Sequence, residues 1–260
     1  LLLAGCLCRA AWCLPEGANV THGNVTISNA GGTQTITQGS NQAIINWNGF
    51  NIDVGELVNF VQPSSISAIL NRVVGQDPSV ILGAMRANGQ VFLVNPNGIV
   101  FGDTARIDVG SLVASTLNIT DDNFLRGNLH FEQAPDKALA SVINQGTIKI
   151  DDNGFLVLTG PMVANEGVIL ARVGQVALAG GTQSTVSFDP TGMIQVALPA
   201  GSQSDDGIVS LTRSATSDLL ASVVTTSAAP AGKMVVRDGR TFLEVDSGTV
   251  VNTGQILAEG

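Results

Sequence analysis

Val142-Ile143-Asn144-Gln145-Gly146-Thr147-Ile148, Val163-Ala164-Asn165-Glu166-Gly167-Val168-Ile169 and Val250-Val251-Asn252-Thr253-Gly254-Gln255-Ile256 share one pattern, V-x-N-x-G-x-I. The three asparagines stand 21 and then 87 residues apart, and 87 is close to four times 21. A period of about 20 residues with strand-like content is the signature of a solenoid. One coil per period turns Val and Ile inward from two successive strands. The N-x-G step between them reads as the bend, because Gly, and to a lesser degree Asn, tolerates positive φ. Asparagines at equivalent turns can stack their amides from coil to coil.

Alternation around these segments agrees with strands buried on one face. Ile107 and Val109 alternate with Arg106 and Asp108, Ile148 and Ile150 flank Lys149, and Ile194 and Val196 flank Gln195. Gln90–Asn95 (QVFLVN) and Gly154–Gly160 (GFLVLTG) are short apolar runs bounded by turn residues. Two regions break the rhythm. Ser64–Val74 has Ile66, Ile69, Leu70, Val73 and Val74 at helical spacing with Ser64 as an N-cap, yet it is rich in β-branched residues, so helix and strand are both open. Gly201–Ala231 is rich in Ser, Thr and Ala and reads as an insertion beside the column, with a short helix near Thr216–Val223.

Composition narrows the function. The 260 residues carry 12 Lys+Arg against 21 Asp+Glu, for a formal charge of −9. A nucleic-acid binder needs a basic face to displace counterions, and an anionic lipid surface needs the same. Hydrophobic residues at 44% with 13% charged exclude a disordered chain. Thirty glycines and no tyrosine fit short strands joined by many turns.

All three cysteines, Cys6, Cys8 and Cys13, lie in an apolar opening stretch, Leu1–Leu14, interrupted only by Arg9. It is shorter than the ~20 residues of a membrane span. Residues 1–13 read as part of a signal peptide, with Ala11-Trp12-Cys13 placing small residues at −3 and −1 of a cut before Leu14. Leu3-Ala4-Gly5-Cys6 also looks like a lipobox, but the apolar run continues past Cys6. The chain from Leu14 to Gly260 is free of thiols, so no stray disulfide can trap it in an oxidising periplasm.

Gln42–Ile52 (QAIINWNGFNI), Asn88–Gly102 (NGQVFLVNPNGIVFG) and Leu14-Pro15-Glu16-Gly17 together resemble the N-terminal secretion domain of two-partner secretion exoproteins, the filamentous haemagglutinin and high-molecular-weight adhesin family. The likeness runs from about Leu14 to Leu198. Asn95-Pro96-Asn97-Gly98-Ile99 matches the family's NPNGI motif in full, whereas its NPNL motif is absent. The segment with Asn46, Trp47, Phe50 and Asn51 occupies the comparable region, as in the adhesin branch. The resemblance implies an all-β chain, a right-handed parallel β-helix of about 21-residue coils with a short N-terminal cap sheet and extra-helical elements. It implies a secretion label that crosses the inner membrane by the general secretory machinery and passes through the periplasm. There it meets a cognate outer-membrane β-barrel transporter with periplasmic recognition domains, and it folds first outside. The product is secreted, or held at the surface of a Gram-negative cell, and serves adhesion or biofilm through downstream regions that contact a host or neighbouring cell. On this reading residues 14–260 form the secretion domain, and the fresh repeat just before Gly260 leads us to expect continuation beyond it.

The motif also has a plain physical reading. Asn, Pro, Asn and Gly occupy their preferred places in a type I turn, with Pro96 fixing φ and Asn95 closing an Asx-turn. A mainly structural role outweighs direct transporter contact, and core or cap packing outweighs recognition for Trp47 and Phe50. Enzyme chemistry finds little footing. His22 and His130 are the only histidines, no G-x-S-x-G or phosphate loop occurs, and no zinc spacing, cofactor motif or metal set is expected. Polysaccharide-active β-helices need clustered carboxylates, but Asp121-Asp122, Asp151-Asp152 and Asp205-Asp206 are tandem pairs, which a strand splits between its faces. A module that binds a host or polysaccharide ligand is the first alternative, and a polysaccharide-active enzyme the last.

Overall fold

The computed structural model describes residues 14–171, 174–188, 194–197, 209–211, 233–237, 240–244 and 249–257. The signal-peptide and lipobox readings, Asp205-Asp206 and the helix expected near Thr216–Val223 lie outside these residues. What is described is almost entirely strand, wound into six coils.

The chain enters through β1 (Asn19–His22) and a hairpin of β2 (Val25–Ala30) with β3 (Thr33–Gln38), and β3 continues into β4 (Gln42–Trp47) as coil one. Coil two is β5 (Leu57–Val61), β6 (Ala68–Val73) and β7 (Ser79–Ile81). Coil three is β8 (Ala84–Val94), which pairs on two faces, and β9 (Ile99–Phe101). Coil four is β10 (Arg106–Ser115), then an excursion holding α1 (Asp121–Leu125) and β11 (Leu129–Glu132), then β12 (Ser141–Asn144). Coil five is β13 (Thr147–Ile150), β14 (Phe155–Gly160) and β15 (Met162–Asn165). Coil six starts with β16 (Val168–Ala171) and β17 (Gln175–Gly180). It leaves the column through β18 (Gln183–Phe188), β19 (Ile194–Ala197), β20 (Val209–Leu211), β21 (Lys233–Arg237) and β22 (Arg240–Glu244). It returns as β23 (Thr249–Asn252), and β24 (Gln255–Leu257) begins the next pass.

Coil-to-coil pairing is parallel, as a solenoid requires, and the antiparallel pairs lie at its ends and in the excursions, where β21 joins β17 of coil six. β1 on β4 and β2 on β3 form the expected cap at one end. Val58, Met85, Ile107, Ile148, Ile169 and Ile256 stack in register as one inward column, every one of them buried. Fully burying a side chain of this kind contributes roughly 1.5–3 kcal/mol. A second column, Ser79, Ile99, Val142, Val163 and Val250, lines the third face.

Several expectations change here. The 87 residues between Asn165 and Asn252 are a single coil, because β15 pairs directly with β23. The extra length is the excursion from β18 to β22, so the match to four periods was coincidental. The steps from Thr33 through Leu57, Ala84, Arg106, Thr147 and Val168 to Gln255 are 24, 27, 22, 41, 21 and 87 residues. Two of the steps are close to the bare coil and the others carry insertions. β19, with Ile194 and Val196, pairs antiparallel with β18 in the excursion, and β20 also pairs outside the parallel stack. The open question at Ser64–Val74 resolves as strand, since β6 must pair on both sides with β4 and β8. Asp121-Asp122 open a helix, not a strand. Thr120 caps it, Asp121 pairs with Arg72 and Asp122 with Arg126.

The repeat glycines also have a different cause. Gly146, Gly167 and Gly254 are not among the positive-φ residues. A Cβ on Gly146 would stand 2.5 Å from the carbonyl oxygen of Gly102. One on Gly167 would strike the carbonyl of Gly146, and one on Gly254 that of Gly167. Glycine is needed because successive backbones meet at this corner. The asparagine stack is present: Asn144 Nδ2 donates to Asn165 Oδ1 at 2.8 Å, and Asn165 Nδ2 to Asn252 Oδ1 at 2.6 Å.

Candidate functional site

Two motif segments bracket one strand. β8 ends at Val94 and the chain turns through Asn95–Gly98 into β9. Gly98 N–H donates to Asn95 O at 3.1 Å, closing the turn, and Asn97 N–H donates to Asn95 Oδ1 at 3.0 Å, the expected Asx-turn. Gly98 has φ 126, a backbone that L side chains rarely adopt, so glycine is required there by conformation. Asn95 is wholly buried. Its Nδ2 donates to Asp77 O and Ser79 Oγ, both at 3.0 Å, and its backbone N–H donates to Ser115 O at 3.0 Å. The turn of coil three is thereby stapled to coils two and four.

Asn97 is only half-buried. Its Nδ2 donates to Gly75 O and to Asn95 Oδ1, each at 3.0 Å, and its Oδ1 accepts from Lys137 Nζ at 3.0 Å. Ile99 is buried in the inward column of the third face, and Pro96 is half-buried at the corner. Ser79 N–H donates to Gly98 O at 2.9 Å, so the motif feeds hydrogen bonds directly to β7.

The second segment grips β7 from the other side. Asn51 Oδ1 accepts from Val80 N–H at 2.8 Å, and Ile52 bridges Ile81. Trp47 and Phe50 are buried edge to face, with ring centroids 5.6 Å apart at 85°. Trp47 Nε1 donates to Asn71 Oδ1 at 3.0 Å, which satisfies the indole in the core. Asn46 points away from them and its Oδ1 accepts from Arg72 Nη1 at 3.2 Å. The opening segment closes over the same place. Glu16 N–H donates to Gly49 O at 2.9 Å, and Asn48 N–H to Glu16 O at 3.0 Å. The three stretches that carried the family likeness therefore meet in the first three coils.

A family model, the TPS secretion domain, matches residues 11–258. The chain belongs to the TPS secretion domain family. A TPS domain directs secretion and implies a cognate outer-membrane transporter as partner, and the family is exported by Gram-negative bacteria. This chain is 36% identical over 192 residues to a heme/hemopexin-binding protein of Haemophilus influenzae (strain ATCC 51907 / DSM 11121 / KW20 / Rd), covering 71% of this chain and 21% of that protein. A second protein of that name from Haemophilus influenzae is 39% identical over 106 residues, covering 40% of this chain and 11% of its own length. The solved secretion domain of HMW1 from Haemophilus influenzae is similar at a TM-score of 0.66 and 40% identity, over 70% of this chain and 48% of that one. The TPS domain thus spans about a fifth of the length of the first of these relatives.

Several residues that build this TPS domain's motif region were not singled out in the sequence. Asn71 and Ser79, both wholly buried, take hydrogen bonds from Trp47 and Asn95. Arg72 and Lys137 come from elsewhere and reach the exposed ends of the two segments. Arg72 was findable: one cation inside the apolar run AILNRVV must either turn outward or meet fixed acceptors. His22 is exposed, and His130 binds Thr185 Oγ1 and Glu132 Oε1, both at 2.8 Å, in the excursion sheet.

Proposed function

We propose that this TPS domain is the part of the exported chain that a cognate outer-membrane transporter, through its periplasmic domains, receives first, and that its first three coils nucleate folding outside. The domain reaches the transporter through the periplasm after the general secretory machinery has delivered it unfolded. The observation that carries the reading is the convergence of Asn51 and the Asn95–Gly98 turn on β7. A three-residue strand cannot hold itself, since a new coil must first lose loop entropy before its contacts form. Here each side of β7 is fixed by an asparagine, so coils one to three can close as one unit. Each later coil then adds to a finished edge, the nearest-neighbour growth that solenoids show. The motif residues Asn95, Pro96, Asn97, Gly98 and Ile99 act mainly through this turn, and Asn46, Trp47, Phe50 and Asn51 through the coil above it. Binding of host or neighbouring-cell ligands belongs, on this reading, to other regions of the exported protein.

The test is co-expression with and without the cognate transporter. The domain should reach the medium in protease-resistant form only with the transporter, and should remain periplasmic without it. Equal release from both strains would reject the reading.

A further inference from the structure

The segment between β10 and β12 leaves coil four and runs back toward the start of the chain. α1 settles over coils one to three. Phe124 shares a buried cluster with Ile44, Leu70 and Phe92, the outward column of those coils, and meets Phe92 edge to face at 5.2 Å. Coil one's Gln42 Nε2 donates to Phe124 O at 3.4 Å. Asn118 and Glu132 exchange backbone hydrogen bonds of 2.8 and 2.9 Å and close the neck.

β11 pairs antiparallel with β18 of the coil-six excursion, and two cations fasten the segment to the early coils. Arg72 of coil two donates through Nε to Asn118 Oδ1 at 3.2 Å and through Nη2 to Ile119 O at 2.6 Å. Its Nη1 meets Asp121 Oδ1 at 2.7 Å and Asn46 Oδ1 at 3.2 Å. At the far end Lys137 Nζ donates to Asn97 Oδ1 at 3.0 Å and Gln76 Oε1 at 3.4 Å. One excursion therefore ties to Asn46 on one face and Asn97 at another corner. Apart from Ala68 and Val94 of the same early coils, every other buried residue of the Ile44–Leu70–Phe92 cluster lies at position 113 or later. Coils one to three cannot cover their own outer column.

We infer that residues 117–140 are a latch that closes backward over coils one to three and fastens both motif segments, so that delivery of the chain as far as Lys137 is the step that commits the domain to its folded state. Until then the strip Ile44, Leu70 and Phe92 stays uncovered, Arg72 lacks three of its acceptors, and Asn97 lacks its cation. The inference rests on the secretion reading above for its timing, and on the contacts alone for its existence.

Two measurements separate these. In the purified domain, Arg72→Met should raise amide exchange across residues 117–128 by at least about tenfold while residues 147–171 stay within about twofold. Arg72→Lys should recover only part of the protection, since an ammonium cannot reproduce the guanidinium fork. Should Arg72→Met fail to fold, Asp121→Asn with Lys137→Met loosens the same segment from its own side. In pulse-chase secretion with the cognate transporter, these variants should reach the medium and then gain protease resistance more slowly than wild type. Unchanged exchange overturns the latch whatever the transporter does. Raised exchange with wild-type timing outside overturns its role in commitment, while transporter-dependent release of the wild-type domain still judges the secretion reading separately.

Discussion

Asn165 sits in the middle of the asparagine stack, and its replacement by leucine exposes what the stack contributes. The side chain is fully buried, accepts from Asn144 Nδ2 at 2.8 Å and donates to Asn252 Oδ1 at 2.6 Å. Leucine has nearly the same shape, so the cavity term is small. It leaves the Asn144 amide without its acceptor and removes one donor from the Asn252 carbonyl. Stranding the buried Asn144 amide costs about 1–3 kcal/mol and losing the bond to Asn252 about 0.5–1.5 kcal/mol, so Asn165→Leu should cost about 1.5–4.5 kcal/mol. A domain of this kind is stable by only about 5–15 kcal/mol in total, so the loss is large. Replacing Asn144, Asn165 and Asn252 together by leucine removes both amide-to-amide bonds at once, at the cost of the Asn252 contact with Gly254 O. It should recover most of that loss, because matched removal of a buried polar set is close to neutral. Asn144 Oδ1 is already buried without a partner, which favours the recovery further. Equilibrium urea unfolding followed by far-ultraviolet circular dichroism reads both variants. A single substitution costing under about 1 kcal/mol, or a triple variant worse than the single one, would refute the reasoning.

Ile148 and Ile169 are paired one coil apart, so each truncation to Ala should cost about 2–5 kcal/mol and the double variant should depart from additivity by more than about 0.5 kcal/mol in a thermodynamic cycle. Gly167→Ala should destabilise by about 1–3 kcal/mol in the same assay, because its methyl would strike the Gly146 carbonyl, and wild-type stability would deny the close approach. Lys149 has its pKa raised by its hydrogen bond to Asp108, then by the charges of Asp108, Asp151 and Asp152. A raised folded pKa gives stability that is present below the ordinary lysine value and is lost as pH climbs through the folded one. The pair is half exposed, so Lys149→Met should cost no more than about 1 kcal/mol at neutral pH, and less in high salt.

The fold was legible where the signal was a column. The V-x-N-x-G-x-I segments give the register of coils four to six because residues that stack must repeat their type: Val142 on Val163 on Val250, and Ile148 on Ile169 on Ile256. The turn at Asn95–Gly98 and the burial of Trp47 and Phe50 were equally readable, since Asn, Pro and Gly at fixed offsets encode local geometry. What the repeat cannot encode is how much chain leaves the column between two coils. An excursion adds length without disturbing the stacked positions, which is why 87 residues passed for four coils. The corner glycines misled for a related reason: a backbone touching the next coil and a backbone bent through positive φ both demand glycine. The roles of Arg72 and Lys137 are not local: Arg72 meets Asn118, Ile119 and Asp121, 46 to 49 residues on, and Lys137 meets Asn97 and Gln76, 40 and 61 residues back, across segments that only the excursion brings near.

We propose that export requires the Asn95–Gly98 turn. The direct measurement is the fraction of an Asn97→Ala, Gly98→Val chain that the cognate transporter delivers to the medium, against the fraction held in the periplasm. Valine at Gly98 must adopt the φ of 126, and alanine at Asn97 removes the side-chain bonds to Gly75, Asn95 and Lys137 while keeping the backbone bond to Asn95 Oδ1. The account predicts that the variant is made, reaches the periplasm and stays there. Secretion at wild-type efficiency would contradict it.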